Sequence, residues 1–362
     1  MKILIVNAIL YTSETKEIKK INSIKDCMIY DLCLAFHKKD HEVTLLAADN
    51  YRPVKDEQYP FNIVWLKSYF QTIFSPNKIP FNIGVKNYIK KNDFDLIISS
   101  EVFSLDTLMA VMAKTGKLII WQEMAFHQKM AKQLASKFWH NIIIRLFYRN
   151  VRIVARTEKA RKFIKKYCKN VSERIIPHGI DFDKFTFKAD KSKYFVVSSQ
   201  LIERKQINLT IDAFKKFCAN VSNDYLLYII GDGDKKDELE RQVTQLKLND
   251  KVLFTGKLAH NELINYLSKA QAMLVYTRKD NSMISIAESI AVGTPVITTS
   301  VPDNSKMIKD NALGIVLDNW SYEELKELVD NNEQYVLNCL HARKLLDNKH
   351  NVELFIDEME YL

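Results

Sequence analysis

The sequence predicts an α/β protein made of two tandem, doubly wound parallel-sheet domains. Three observations carry this. Short, wholly apolar runs alternate with amphipathic helical stretches, the pattern stops and restarts between residues 176 and 194, and 362 residues with 47% hydrophobic content suffice for two cores. Strands that are apolar at every position belong to sheets covered on both faces, because a sheet with one wet face alternates apolar and polar residues.

In the first domain, residues 1–185, the run KILIVNAI is followed by a helix through CMIYDLCLAFHKK and then by HEVTLLAA, FNIVWL, FDLIISS, KLIIWQE and VRIVART. The motif Ile176-Pro177-His178-Gly179-Ile180-Asp181 ends it: Pro177 fixes the approach and Gly179 suits a left-handed turn. The second domain, residues 190–345, restarts with YFVVSSQ, the helix NLTIDAFKKFCANV, the strand of YLLYIIGDGD, the helix KDELERQVTQL, KVLFTG, the helix HNELINYLSKA, AMLVYT, a helix from about Ile284, PVITTS and GIVL. The tail VELFIDEMEYL reads as one more amphipathic helix.

Composition narrows the function classes. No apolar run reaches the roughly 20 residues of a membrane span, and Met1 leads directly into a strand rather than a signal peptide, so a cytoplasmic location is expected. Cys27, Cys33, Cys168, Cys218 and Cys339 lack CxxC spacing and a neighbouring His cluster; reduced structural thiols and no metal or other cofactor are expected. Residues 1–185 carry 31 Lys and Arg against 18 Asp and Glu, a net +13, whereas the rest carries 22 against 26, a net −4. Such asymmetry suits an anionic membrane surface or a phosphorylated substrate; no nucleic-acid module is present, and nucleic acid is not expected as a partner.

The chemistry is concentrated in the second domain. Asp280 and Glu288 bracket seven residues in DNSMISIAE, which runs on into SIAVGTPVITT. A helix N-terminus offers N–H groups and the positive end of its dipole to an anion, and carboxylates accept from hydroxyls, so the arrangement suits a nucleotide-sugar with its diphosphate and hydroxylated rings. Taken alone, Asp280 reads equally as a helix cap and Glu288 as a solvated helix acid. Four further motifs stand in order along the chain: IIPHGID, SSQLIERKQINLTIDAF, YIIGDGDKKDELE and KVLFTGKLAHNEL. Together these segments resemble the retaining family-four glycosyltransferases, most closely over residues 175–300.

That resemblance implies a GT-B fold, two Rossmann-like domains holding ligand at the carboxyl ends of their strands and in the cleft between them. The first domain would take the acceptor and the second the nucleotide-sugar, and residues 346–362 would cross back onto the first. Lys205 falls on the family lysine and would lie against the diphosphate with Arg204, while Gln200 occupies the family arginine position. Gly231 would turn the chain beside the nucleotide, and Lys257 and Leu258 would lie near the base. Asp280, which replaces the family glutamate, would hold the sugar hydroxyls; the amides of Ser282, Met283 and Ile284 the phosphate and sugar; and Glu288 the ribose. Family members carry a His after a first-domain strand, and IIWQEMAFHQKM offers Glu123 and His127 for catalytic roles with Asp280, both expected to face the cleft. A lone His is also compatible with a packed, satisfied side chain.

The implied reaction moves a hexose, from a UDP-sugar, to a lipid-diphosphate-linked saccharide in capsular, exopolysaccharide or lipopolysaccharide assembly, with retention and without a metal. The first strand-to-helix loop departs from the family: AILYTSETKEIKKINSIKD has no glycine pair and four lysines, which suit a pyrophosphate-bearing acceptor or a solvated loop. In SKFWHNIIIRLFYRNVR, Phe138, Trp139, Ile142, Ile143, Leu146 and Phe147 form one expected stripe flanked by Arg145, Arg149 and Arg152. The segment reads as a helix packed on its own sheet or as peripheral contact with an anionic membrane at the inner face of the cell membrane. Gln200, Asp280 and the missing glycine pair leave open a non-catalytic GT-B partner of another transferase, and the fold also serves sugar-nucleotide epimerases.

Overall fold

The structure is a computed structural model that describes the chain except for residues 12–17, 19–22, 26, 56, 75–77, 128–132 and 281. It divides into two compact units, Met1–Asp181 with Asn348–Leu362, and Phe182–Asp347. The basic loop after the first strand therefore lies largely outside the described residues.

The first unit contains β1 (Lys2–Val6), α1 (Met28–His37), β2 (Glu42–Ala48), β3 (Asn62–Leu66), α2 (Val85–Lys91), β4 (Leu96–Ser100), α3 (Leu105–Val111), β5 (Leu118–Gln122), α4 (Leu134–Phe138), α5 (Arg145–Phe147), β6 (Arg152–Ala155), α6 (Glu158–Ile164) and β7 (Val171–Ile175). Its strands pair in parallel in the order β3-β2-β1-β4-β5-β6-β7. Successive strand side chains point to opposite faces. Ile3 and Ile5 accordingly enter one core with Leu45, Ile98 and Trp121, and Leu4 and Val6 enter another with Leu46, Val85 and Ile89. Burial on both faces is why KILIV contains no alternation.

The second unit repeats the plan with β8 (Tyr194–Ser198), α7 (Ile207–Asn220), β9 (Leu226–Ile230), α8 (Lys236–Gln245), β10 (Val252–Gly256), α9 (His260–Lys269), β11 (Ala272–Val275), α10 (Ile284–Ala291), β12 (Val296–Thr298), α11 (Asn304–Asp310), β13 (Gly314–Val316), α12 (Tyr322–Asp330) and α13 (Asn332–Ala342). The strand order is β10-β9-β8-β11-β12-β13, again parallel. In both sheets the winding reverses beside the first strand, between β1 and β4 and between β8 and β11. Open α/β sheets place ligands at the carboxyl ends of the strands flanking such a reversal.

The last helix, α14 (Asn348–Glu358), belongs to the first unit. Phe355 meets Trp121 at a centroid distance of 5.5 Å and Phe36 at 6.2 Å, and the buried Glu358 accepts from Arg152 Nε at 2.7 Å and Ser172 Oγ at 2.8 Å. The IPHGID segment forms its other seat. Asn351 Nδ2 donates to Pro177 O at 2.8 Å and Asn348 N to Ile180 O at 3.2 Å. A Cβ on Gly179 would stand 2.5 Å from Asn348 Oδ1, so the glycine permits close approach of α14.

The aromatic helical segment differs from its expected stripe. Residues Trp139–Ile144 between α4 and α5 are π-helical. Residues four apart drift around an α-helix of 3.6 residues per turn; i→i+5 bonding takes more residues per turn and counters that drift. Leu134, Phe138, Ile142 and Leu146 are consequently all exposed. Trp139 and Ile143 instead turn inward, Trp139 Nε1 donating to Val102 O at 2.8 Å. Arg152 leaves the proposed basic flank altogether: it is a β6 residue held by Glu358 and Asn170.

Candidate active site

At the reversal of the second sheet, the loops after β8 and β11 bring three predicted residues together. Arg204 and Lys205 lie in a 3₁₀ turn (Glu203–Lys205) that ends at Gln206, a left-handed residue with φ 42°, before α7 begins. Arg204 Nη1 donates to Asp280 Oδ1 at 2.8 Å; Lys205 Nζ and Thr277 Oγ1 donate to Asp280 Oδ2 at 2.8 and 2.6 Å. Lys205 is 8% exposed and Asp280 is mostly buried. Burial raises the Asp280 carboxyl, but the bonds from Lys205 and Thr277 and the Lys205 charge outweigh it, so it lies below its ordinary value. Two cations share one carboxylate, leaving the cluster with a net positive charge. Arg204 O also accepts the Arg278 N–H at 2.9 Å, tying the two loops together.

Gly231, with φ 142°, supplies the floor. A Cβ there would lie 1.9 Å from Ser199 O, so the turn after β9 runs directly against the chain leaving β8. Gly231 N donates to Gly256 O at 2.9 Å, and Lys257, exposed, and Leu258, half-buried, follow in the loop before α9.

The α10 N-terminus departs from expectation at one amide. Met283 N donates to Asn304 Oδ1 at 2.6 Å, and Ser282 Oγ donates to the same oxygen at 3.3 Å. Asn304 at the start of α11 therefore consumes the Met283 donor assigned to phosphate. Among the described residues the Ile284 and Ser285 N–H groups have no hydrogen-bond partner and remain at the open end of α10; Asn281 lies outside the described residues. Glu288, deeper in α10 and 8% exposed, places its carboxylate Oε1 2.8 Å from His260 Nε2. His260, Thr277 and Asn304 are neighbours that the motif reading did not reveal.

In the first unit, Glu123 and His127 are not brought together. His127 Nδ1 meets Ser136 Oγ at 3.1 Å and its Nε2 meets Tyr167 OH at 3.0 Å, with Phe163 and His140 rings edge-on to it. Burial lowers its pKa. Both ring nitrogens have partners, and the side chain packs between α4 and α6.

Glu123 sits elsewhere, among residues projecting from the carboxyl ends of β4 to β7. Thr157 Oγ1 accepts the Ala160 N–H at 3.1 Å and starts α6, which leaves Arg156 at the strand end. Arg156 Nη1 donates to Glu123 Oε2 at 2.8 Å and to His178 Nε2 at 2.6 Å, Nη2 donates to Ser100 Oγ at 2.9 Å, and the guanidinium lies 3.8 Å over the Trp121 ring. Glu101, in the left-handed region at φ 67°, accepts the Glu123 and Met124 N–H groups at 2.7 and 3.1 Å. Burial pushes the Glu101 carboxyl up to about 7, against the pull of Arg156 and with the push of Glu123. Burial raises the Glu123 carboxyl, but the hydrogen bond and charge of Arg156 hold it below its ordinary value. Glu101, Arg156 and His178 were not singled out as site residues; each immediately follows a strand or lies in the motif after β7.

Comparison with known proteins fits this geometry. Residues 28–184 match the family model for Glycosyltransferase Family 4, and residues 180–335 match that for Glycosyl transferases group 1. An alpha-monoglucosyldiacylglycerol synthase of Streptococcus pneumoniae is 24% identical over 62% of this chain and 56% of its own length. The O-antigen chain mannosyltransferase RfbU of Salmonella typhimurium is 28% identical over 45% of this chain and 47% of its own length, so the chain spans about half the length of these relatives. Among solved structures, Anabaena HepE in complex with UDP shares the fold over 100% of both chains with a TM-score of 0.68 at 13% identity. The fold is GT-B, and the chain is built from the paired domains of the family 4 and group 1 glycosyltransferases.

Proposed function

We propose that the chain transfers a hexose from a UDP-sugar, with retention and without a metal, to a hydroxyl of a lipid-diphosphate-linked saccharide in surface polysaccharide assembly. The observation that carries this is the Arg204–Lys205–Asp280 cluster at the sheet reversal beside the α10 N-terminus. A diphosphate is the ligand that matches two cations and two open helical amides. In this reading Asp280 keeps the cations in place before the donor binds. Donor binding moves Arg204 and Lys205 onto the diphosphate and frees Asp280 to accept from sugar hydroxyls. The bond from the anomeric carbon to the diphosphate oxygen then breaks while the acceptor oxygen bonds on the same face. The acceptor proton passes to the departing phosphate, and the cations and α10 dipole stabilise the charge that develops there.

The binding of UDP in HepE and the O-antigen role in the name of RfbU support the donor and pathway. The exposed series Leu134, Phe138, Ile142 and Leu146, with Lys137, Arg145 and Arg149 also exposed, supports work at the inner face of an anionic membrane. Among the described residues no helix is long and apolar enough to cross a membrane.

Calorimetry and thermal shift against UDP, GDP, ADP and their sugar conjugates, with and without magnesium, test the donor reading. Selective binding of one UDP-sugar, weakened about 30-fold or more by Lys205→Ala as a charge-assisted bond is lost, is the expected result. Absence of binding to every nucleotide would remove the transferase reading.

A further inference from the structure

The Glu123–Arg156–His178 cluster has a hydrogen-bonding pattern that selects its ligand. Arginine has only donors, so the 2.6 Å contact of Arg156 Nη1 with His178 Nε2 requires that nitrogen to accept. Burial and the Arg156 charge both lower the His178 pKa, consistent with a neutral ring. A neutral imidazole that accepts at Nε2 carries its proton at Nδ1. Among the described residues that Nδ1 has no hydrogen-bond partner. Glu123 Oε2 accepts from Arg156, its 3.3 Å contact with the unprotonated His178 Nε2 carries no proton, and its Oε1 has no partner among the described residues.

The cluster thus presents one fixed N–H donor and one fixed carboxylate acceptor, on side chains 11% and 31% exposed. Arg156 itself is 7% exposed, and among the described residues its Nε is buried without a hydrogen-bond partner. The supports are rigid. The guanidinium is clamped between the Trp121 face and Ser100, and Glu101 holds the Glu123 and Met124 amides from a strained left-handed backbone, a cost of the kind found at ligand sites.

We propose that Glu123 and His178 form a saccharide subsite that binds the hydroxyls of the acceptor sugar, with Arg156 and Glu101 as positioning residues. A hydroxyl both donates and accepts, which suits an acceptor oxygen beside an N–H. The diphosphate of a lipid-linked saccharide is a diester with no hydroxyl to donate to Glu123, and the Glu123 carboxylate repels its charge. Within the transferase reading, on which the acceptor role rests, this separates the acceptor's sugar from its diphosphate: the sugar meets this cluster and the diphosphate binds elsewhere.

The test is saturation-transfer NMR of the full chain with methyl hexosides, with inorganic phosphate as a competing probe and UDP affinity measured in parallel. Wild-type protein should bind a methyl hexoside, without competition from phosphate. Glu123→Gln and His178→Leu should each weaken that binding at least tenfold with UDP affinity unchanged, and His178→Asn, which keeps a donor near the Nδ1 position, should retain most of it. Full hexoside affinity in both Glu123→Gln and His178→Leu, competition by phosphate, parallel loss of UDP binding, or no hexoside contact in the wild type would overturn the subsite. Hexoside binding that depends on Glu123 and His178 in a protein that binds no nucleotide would leave the subsite standing and remove the transferase reading. Turnover of a nucleotide-sugar with hexoside binding indifferent to these residues would do the reverse.

Discussion

The two units share one winding and carry charge clusters of opposite sign at the carboxyl ends of their strands. At the reversal of the second sheet, Arg204 and Lys205 surround one carboxylate, Asp280; at the strand ends of the first, Glu123 and Glu101 surround one guanidinium, Arg156. The overall charges run the other way, with the basic excess in residues 1–185 and the acidic excess in the remainder. Net charge therefore describes solvated surface, whereas ligand chemistry follows the few charges that the fold buries together. If both proposed sites hold, one scaffold takes a phosphate in one half and a neutral polyol in the other by changing the sign of the group at the centre.

The glycines of the two units offer the strongest way to break this comparison. Gly231 faces backbone, Ser199 O, and has φ 142°; neither the carbonyl nor the angle can yield by rotating a side chain. Gly179 faces the Asn348 and Asn351 side chains. Gly231→Ala should cost on the order of 3 kcal/mol or more, combining overpacking with backbone strain, and Gly179→Ala about 1–3 kcal/mol by loosening α14. Urea unfolding of both variants measures this. A Gly231→Ala protein as stable as wild type would mean that the β9 turn is not pinned against β8 as described.

The second unit was more legible than the first because its chemistry uses local motifs. Arg204, Lys205 and Asp280 lie in loops directly flanked by strand and helix signals, and the Gly-Asp-Gly turn leaves a mark in composition. What stayed hidden there was a competing partner: no pattern indicates that Asn304, 21 residues beyond Met283, takes the Met283 amide. In the first unit the alternation of apolar runs revealed the sheet, but Glu101, Glu123, Arg156 and His178 come from the ends of different strands and share no spacing. His127 was conspicuous as a His near a strand end, yet Ser136 and Tyr167 satisfy it. The π-helical turn that aligns Leu134, Phe138, Ile142 and Leu146 is likewise invisible to a reading at α-helical period.

That aligned series sharpens the comparison at the surface. Leu134, Phe138 and Leu146 in the first unit are 67%, 60% and 69% exposed, whereas Leu337 and Leu340 on α13 of the second are 44% and 42% exposed. If only the first unit meets a membrane, Leu134→Ser with Phe138→Ser should lower sedimentation with anionic liposomes roughly tenfold, and Leu337→Ser with Leu340→Ser should leave it unchanged. Added salt should weaken binding through Lys137, Arg145 and Arg149, each contributing about 1 kcal/mol near an anionic surface. Equal losses from both pairs would show nonspecific adhesion and cancel the distinction.

The smallest expected effect is the most specific, because Glu101 should act with opposite signs on function and stability. Its folded pKa is raised from the ordinary 4.5 to about 7, so between those values the native state binds more protons than the unfolded state. By linkage, its contribution to stability falls as pH rises through that window and is level above it. Binding runs the other way: only the ionised carboxylate accepts both the Glu123 and Met124 N–H groups, so hexoside affinity should rise by a few-fold as pH passes 7. Asp280 in the second unit is held below its ordinary value despite burial, by Lys205 and Thr277, so affinity for a UDP-hexose should show no inflection in this range from that group. Glu101→Gln should flatten the hexoside profile and remove the corresponding part of the stability slope, as followed by NMR titration and by melting temperature between pH 5 and 8 at roughly half-unit steps. A hexoside profile that keeps its inflection in the variant would assign the titration to another group and detach Glu101 from the saccharide subsite. An inflection of the same size in the binding of a UDP-hexose, whose diphosphate diester does not titrate in this window, would show that the two units do not keep their charges separate.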